Sequence, residues 1–91
     1  MRVIRASLAG SARGPAQGRA LALVSDLIWA HIAPAHGLEH LRAKASDDGV
    51  DVYLFLRATS DAAALAQART ILDRARTPLM SRGYRAKPTY R

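Results

Sequence analysis

The sequence contains no cysteine, which excludes disulfide bonds and thiolate metal sites. It also lacks any run of the roughly 18 apolar residues that a membrane-spanning helix needs. The most apolar stretch, residues 20–33, is interrupted by Asp26 and His31. A reducing compartment suits such a chain, and we therefore expect a cytoplasmic protein with no membrane partner.

Acidic side chains are scarce, with seven Asp and Glu against 14 Lys and Arg and a formal charge of +7. Such a surplus suits an anionic partner, which could be nucleic acid, a phosphorylated ligand or an acidic protein surface. A coding bias towards arginine and alanine accounts for the charge equally well. The charge alone therefore does not identify the partner.

Large apolar side chains are also few, because alanine supplies much of the 49% hydrophobic content and aromatic residues make up only 5%. A chain of 91 residues forms one domain with a thin core. We predict that this core consists of the Leu, Ile and Val residues together with Trp29 and Phe55. Domains with thin cores often gain stability by associating, so we expect self-association or docking in a larger assembly.

Hydrophobic periodicity predicts two helices and at least three strands. Apolar residues recur at spacings of three and four in both helices, whereas the strands alternate with a period of two. The segment Asp47-Asp48-Gly49 predicts a hairpin, because Asp and Gly tolerate positive φ. In chain order the predicted elements are a strand at 2–8, a helix from about 15 or 17 to 32, strands at 37–45 and 50–58, and a helix from 61 to about 80.

This order of strand, helix, strand, strand and helix is that of a ferredoxin-like split βαβ sandwich. It predicts an α+β fold with both helices on one face of an antiparallel sheet. We assign residues 1–83 to a single α+β domain. Residues 84–91 are basic and contain Pro88, and they form either a C-terminal tail or a short edge strand.

The sheet face that points away from the helices is the main candidate site. Alternation turns Tyr53 and Phe55 outward, and neighbouring positions add cations. Aromatic side chains surrounded by cations are typical of single-strand binding, because bases stack on the rings and phosphates contact the cations. The Gly-Phe-Gly-Phe-like stretch of RNA-recognition domains is absent, however. Exposed aromatics also mark protein interfaces. The predicted binding face comprises Arg5, His40, Arg42, Lys44, Tyr53, Phe55 and Arg57.

Two further clusters are weaker candidates. A loop before the first helix could hold an anion on free backbone N–H groups, but it lacks the spacing of known phosphate loops. Three histidines fall within ten residues, but without a recognised ligand spacing, so we expect no metal and no cofactor. The loop residues are Arg13, Gly14, Gly18 and Arg19, and the histidines are His31, His36 and His40.

The sequence carries no recognisable catalytic motif, and enzymatic activity is left open. We expect a non-enzymatic accessory or regulatory domain that acts through protein association, with itself or in a larger assembly. The alternative is single-stranded nucleic-acid binding through the open sheet face. A more distant alternative is a cofactorless oxygenase-like enzyme with Trp29, His31 and Tyr53 around a pocket between sheet and helices.

Overall fold

A computed structural model describes the chain at residues 1–10 and 18–90, with side chains up to residue 87. Every predicted element is present, and the bounds that fall within the described residues differ by about two residues or fewer. In chain order the elements are β1 (Arg2–Gly10), α1 (Gly18–Ala30), a short 3₁₀ turn (Pro34–His36), β2 (Leu38–Ser46), β3 (Gly49–Leu56), α2 (Asp61–Ser81) and β4 (Tyr84–Tyr90).

The strands form an open, fully antiparallel sheet in the order β2-β3-β1-β4. Two helices and this four-stranded sheet confirm the predicted α+β class within the described residues. The observed element order departs from the five-element prediction at its end. Residues 84–90 form a full strand beside β1, and Tyr84 is buried in the core.

Strand β3 lies in the sheet interior, between β1 and β2. Val50, Val52, Leu54 and Leu56 are completely buried, and the residues between them are only half-buried. This is the period of two that a strand with one covered face requires. The prediction of which β3 side chains face the helices is confirmed.

Both helices pack on that covered face and share one core with the sheet. Helix α1 contributes Val24 and Ile28, whereas α2 contributes several alanines beside Ile71, Leu72 and Leu79. Alanine buries little apolar area, so the larger aliphatic side chains supply most of the hydrophobic stabilisation. Among the described residues, no helix combines the length and apolar character needed to cross a membrane.

The expectation that Trp29 and Phe55 belong to the core is wrong. Trp29 is 41% exposed, and Phe55 is half-buried on the opposite face of the sheet. Successive helix residues point about 100° apart, so Ile28 takes the inward position and turns Trp29 out. Phe55 points away from the core because side chains alternate along a strand and its neighbours Leu54 and Leu56 point inward.

The hairpin between β2 and β3 forms as predicted but for a different reason. Asp47 and Asp48 close the turn, and the described residues with positive φ are Gly37 and Gly83 alone. A Cβ added to Gly49 would overlap the carbonyl oxygen of Leu8 on β1. Glycine is needed here for the close approach of two strands rather than for a left-handed turn.

Local signals set both ends of α2. The Ser60 hydroxyl accepts a hydrogen bond from the Ala63 N–H at 3.0 Å, and Asp61 adds a negative charge to the first turn. The helix continues through Pro78, and it ends before Gly83, whose φ is 88°. The helix therefore begins at the predicted residue and ends within one residue of the predicted end.

Ser60→Ala should lower the free energy of unfolding by about 1 kcal/mol, because the Ala63 N–H loses its acceptor. Urea denaturation followed by circular dichroism measures this loss. Thr59→Ala is the matched control, since it removes the neighbouring exposed hydroxyl and should change stability by less than about 0.5 kcal/mol. Equal losses in the two variants would contradict the capping role.

Candidate functional site

The register of β2, β3 and β1 brings the outward side chains into three rows across the sheet. Directly opposite side chains on one face of an antiparallel pair lie about 4.5–5.5 Å apart at Cβ. We call this set of nine side chains the open face. Its rows are Arg5–Tyr53–Arg42, Val3–Phe55–His40 and Ser7–Asp51–Lys44.

The aromatic rings occupy the middle strand of the open face. Tyr53 and Phe55 are both half-buried, and the His40 ring lies 5.2 Å from that of Phe55 at an angle of 53°. Both β3 rings line a depression of about 540 Å³, together with Arg42 and Lys44. A planar group that settles there can reach a ring and a cation at the same time.

The cations of the open face are not neutralised by carboxylates. Asp51 is the one acid in the face, and it accepts a hydrogen bond from the Ser7 hydroxyl at 2.8 Å. Lys44 lies opposite Asp51 in register, but no ion pair joins them. In the described part of the chain the ion pairs are Arg2–Asp61 and Lys87–Asp48. The charges of Arg5, Arg42 and Lys44 are therefore available to an anion.

Arg57 follows the last residue of β3, beside the open face rather than in its rows. The Arg57 N–H donates to the Gly37 carbonyl at 2.9 Å, and the Arg57 carbonyl accepts a bond from the Gln67 amide at 3.2 Å. Its side chain is exposed. The backbone is thus fixed on both sides while the guanidinium is accessible to solvent.

The predicted anion loop falls only partly within the described residues. Arg13 and Gly14 lie outside them, whereas Gly18 and Arg19 form the exposed start of α1. The described portion contains one of the two loop arginines, so the anion site stays a prediction.

The three histidines are held apart by different local contacts. The Nδ1 of His31 donates to the Leu27 carbonyl at 2.8 Å, and the Nδ1 of His36 accepts a bond from the Ala33 N–H at 2.8 Å. His40 lies against Phe55 on the open face. Across residues 1–10 and 18–90, no three His, Asp or Glu side chains gather as metal ligands would.

The oxygenase-like pocket requires Trp29, His31 and Tyr53 to meet between the sheet and the helices. Tyr53 instead belongs to the open face, while α1 packs on the other side of the sheet. Trp29 itself is largely exposed. The prediction that these three side chains line one pocket is wrong, because the alternation of side chains along β3 places Tyr53 on the face away from the helices.

Sequence reasoning missed two features that depend on β4. A groove of about 480 Å³ runs between α2 and β4. Lys87 of β4 donates a 2.6 Å hydrogen bond to Asp48 of the β2–β3 turn, and it holds the pKa of that carboxyl below its usual value. Neither feature has a local signal, since both require β4 to pair with β1.

Comparison with known proteins does not assign a family or a function to the chain. No family model matches the chain, and no curated protein or solved structure is significantly similar to it.

Proposed function

We propose that the chain is a non-enzymatic binding domain whose open face contacts single-stranded nucleic acid. The row Arg5–Tyr53–Arg42 carries the proposal, because it sets a cation on either side of an accessible ring. A base stacked on Tyr53 brings its flanking phosphates towards the two guanidinium groups. Stacking and phosphate contact together are what single-strand binding requires.

The same charges oppose contact between two copies through the sheet. Two open faces brought together would set Arg5, Arg42 and Lys44 against like charges, which costs free energy. The exposed edge strands are protected as well, since β2 carries His40, Arg42 and Lys44 and the β4 sequence includes Pro88. An anionic partner therefore suits the open face better than a second copy does.

We further infer that the fold is a ferredoxin-like sandwich. The sheet order β2-β3-β1-β4 and the packing of both helices on one face support this assignment. Such a sheet leaves its other face free for a ligand. The fold alone does not select a function, so the row of cations and ring is the stronger argument.

Protein association is the second candidate, and one end of the open face favours it. Val3 is 47% exposed and lies opposite Phe55, and Met1, two residues earlier in the chain, is 77% exposed. Apolar side chains next to an aromatic ring form the usual centre of a protein interface. In this case the domain is an accessory subunit whose partner presents an acidic rim.

The nucleic-acid proposal predicts a measurable change in salt dependence. Arg42→Gln should reduce the slope of log Kd against log salt by about 0.7, the value for one phosphate contact on a single strand. Fluorescence anisotropy with a labelled deoxythymidine oligonucleotide across a salt series measures it. The control is Arg74→Gln, which removes an exposed cation from α2 and should leave the slope unchanged.

Two results would overturn the proposal. One is the absence of oligonucleotide binding at low salt, where electrostatic attraction is strongest. The other is an equal slope change in Arg42→Gln and Arg74→Gln, which would mean that the whole cationic surface binds any polyanion. Light scattering on the same samples tests the second candidate, because a mass well above 9.8 kDa without oligonucleotide favours protein association.

A further inference from the structure

We infer that the free edge of β2 binds an extended acidic segment of a partner protein, which adds to the sheet as a further antiparallel strand. Strand β2 is the outermost strand at its end of the sheet. Across the described residues, no hydrogen bond from outside the sheet reaches the backbone of residues 41–45. Unpaired N–H and C=O groups along such an edge are what an added strand pairs with.

Two hydrogen bonds at the ends of β3 show towards which neighbouring strand each of its residues bonds. Just before β3, the Asp48 carbonyl accepts a bond from the Gly10 N–H of β1 at 2.8 Å. Just after β3, the Arg57 N–H donates to the carbonyl of Gly37, which precedes β2, at 2.9 Å. Bonding sides alternate along a strand in an antiparallel sheet. Even-numbered residues of β3 therefore bond to β1, and odd-numbered residues bond to β2.

The register of the hairpin carries this alternation into β2. Arg42 lies opposite Tyr53 and Lys44 lies opposite Asp51, so the backbone groups of Arg42 and Lys44 bond to β3. The residues between and beside them turn their N–H and C=O groups away from the sheet. These outward-bonding residues are Leu41, Ala43 and Ala45.

The side chains along this edge select the partner by charge. Arg42 and Lys44 are exposed on the open face, and neither is paired with a carboxylate in the described part of the chain. On the helix side, the edge carries the uncharged side chains of Leu41, Ala43 and Ala45. Directly opposite side chains of an added strand would lie about 4.5–5.5 Å away at Cβ. The fitting segment therefore alternates Asp or Glu, opposite the cations, with uncharged residues, opposite the alanines.

The same alternation disfavours a second copy at this edge. Antiparallel pairing through the free backbone groups sets odd-numbered residues of β2 opposite odd-numbered ones, and even-numbered residues opposite even-numbered ones. When two such edges overlap fully, Arg42 lies opposite Lys44 of the second copy. Like charges directly opposite each other are destabilising, whereas an acidic strand makes both contacts attractive.

A synthetic peptide in which Glu alternates with Val, with both ends blocked, serves as the probe, and calorimetry measures its affinity. Replacing every Glu by Lys should abolish binding, because each charge contact becomes repulsive. N-methylation of the Val amides should also abolish binding, since these N–H groups face β2 when Glu lies opposite the cations. N-methylation of the Glu amides is the matched control and should retain most of the binding.

Variants of the edge test the same geometry from the protein side. Ala43→Pro removes an outward N–H and keeps the bonds between β2 and β3, a position at which edge strands accept proline. It should weaken peptide binding about tenfold, whereas Ala43→Thr keeps the N–H and should bind like the parent chain. Arg42→Gln and Lys44→Gln should each weaken binding about threefold. The control Arg74→Gln, on α2, should leave the affinity unchanged.

Amide hydrogen exchange locates the bound peptide, because binding should slow exchange at Leu41, Ala43 and Ala45. Unchanged exchange at all three amides would overturn the inference. Equal affinity of the two N-methylated peptides for the parent chain would do so as well, and this comparison holds even if Ala43→Pro does not fold.

Two further results would also overturn the inference. One is the absence of peptide binding at low salt. The other is a mass near twice 9.8 kDa without peptide that Ala43→Pro returns to the monomer, which would assign the edge to a second copy. None of these measurements uses an oligonucleotide, so their outcome does not depend on the proposed function.

Discussion

Gly49→Ala should lower the free energy of unfolding by about 3 kcal/mol. A Cβ at this position overlaps the Leu8 carbonyl oxygen, and it also comes within 2.7 Å of the Gly10 backbone nitrogen. Both atoms belong to β1, which is held by a ladder of hydrogen bonds to β3 and cannot yield as the end of a side chain can. Forced overpacking typically costs 1–3 kcal/mol, and here the obstacle is backbone.

Urea denaturation of the purified variant measures the loss, with Gly18→Ala as the matched control. A Cβ at Gly18 meets no atom within 4 Å, and this residue begins α1 without positive φ. The control should therefore be neutral or stabilising by up to about 1 kcal/mol. Similar stability of both alanine variants would show that β1 does not approach Gly49 as closely as the structure places it.

The hairpin at Gly49 could be predicted from the sequence, but the reason for its glycine could not. The Asp-Gly pair located the hairpin correctly, because turn residues act over a few neighbouring positions. The reason for the glycine lies in Leu8, which is far away in sequence but adjacent in the sheet. Local patterns cannot reveal a requirement that arises only when two distant strands pair.

The core illustrates the same division between local and long-range information. The alternation in β3 identified Val50, Val52, Leu54 and Leu56 as inward residues, because burial of one face imposes a period of two. Residue type misled the prediction for Trp29, which is mostly exposed. Position within the element decided burial, and hydrophobicity alone did not.

For the candidate site, the same alternation predicts that Tyr53 and Phe55 point outward. Which residues of the neighbouring strands lie beside these two rings depends on the register of strand pairing. The β2–β3 pairing runs without interruption from Ser46–Gly49 to His40–Phe55 and shifts only beyond His40, so the hairpin turn decides which β2 residue lies opposite each ring. A period of two does not by itself specify which residues of two strands pair. The groove beside β4 was equally inaccessible, because pairing with β1 decides whether residues 84–90 form a strand.

Removing both rings of the open face should abolish most single-strand binding. Stacking contributes roughly 1–3 kcal/mol per base, so the double variant Tyr53→Ala, Phe55→Ala should lose roughly 2–6 kcal/mol, which is about 30-fold or more in Kd. The salt slope should stay near that of the parent chain, because Arg5, Arg42 and Lys44 are unchanged. Fluorescence anisotropy at one fixed salt concentration, repeated across the salt series, separates the two quantities.

Two controls separate stacking from general damage to the fold. Trp29→Ala removes an exposed ring from α1, away from the open face, and should leave the affinity within about twofold, a change of less than 0.5 kcal/mol. Tyr53→Phe keeps the ring and should retain most of the binding. Urea denaturation confirms that the double variant is folded at the assay temperature. If the folded double variant binds as tightly as the parent chain, the rings play no part, and the cations alone attract the polyanion.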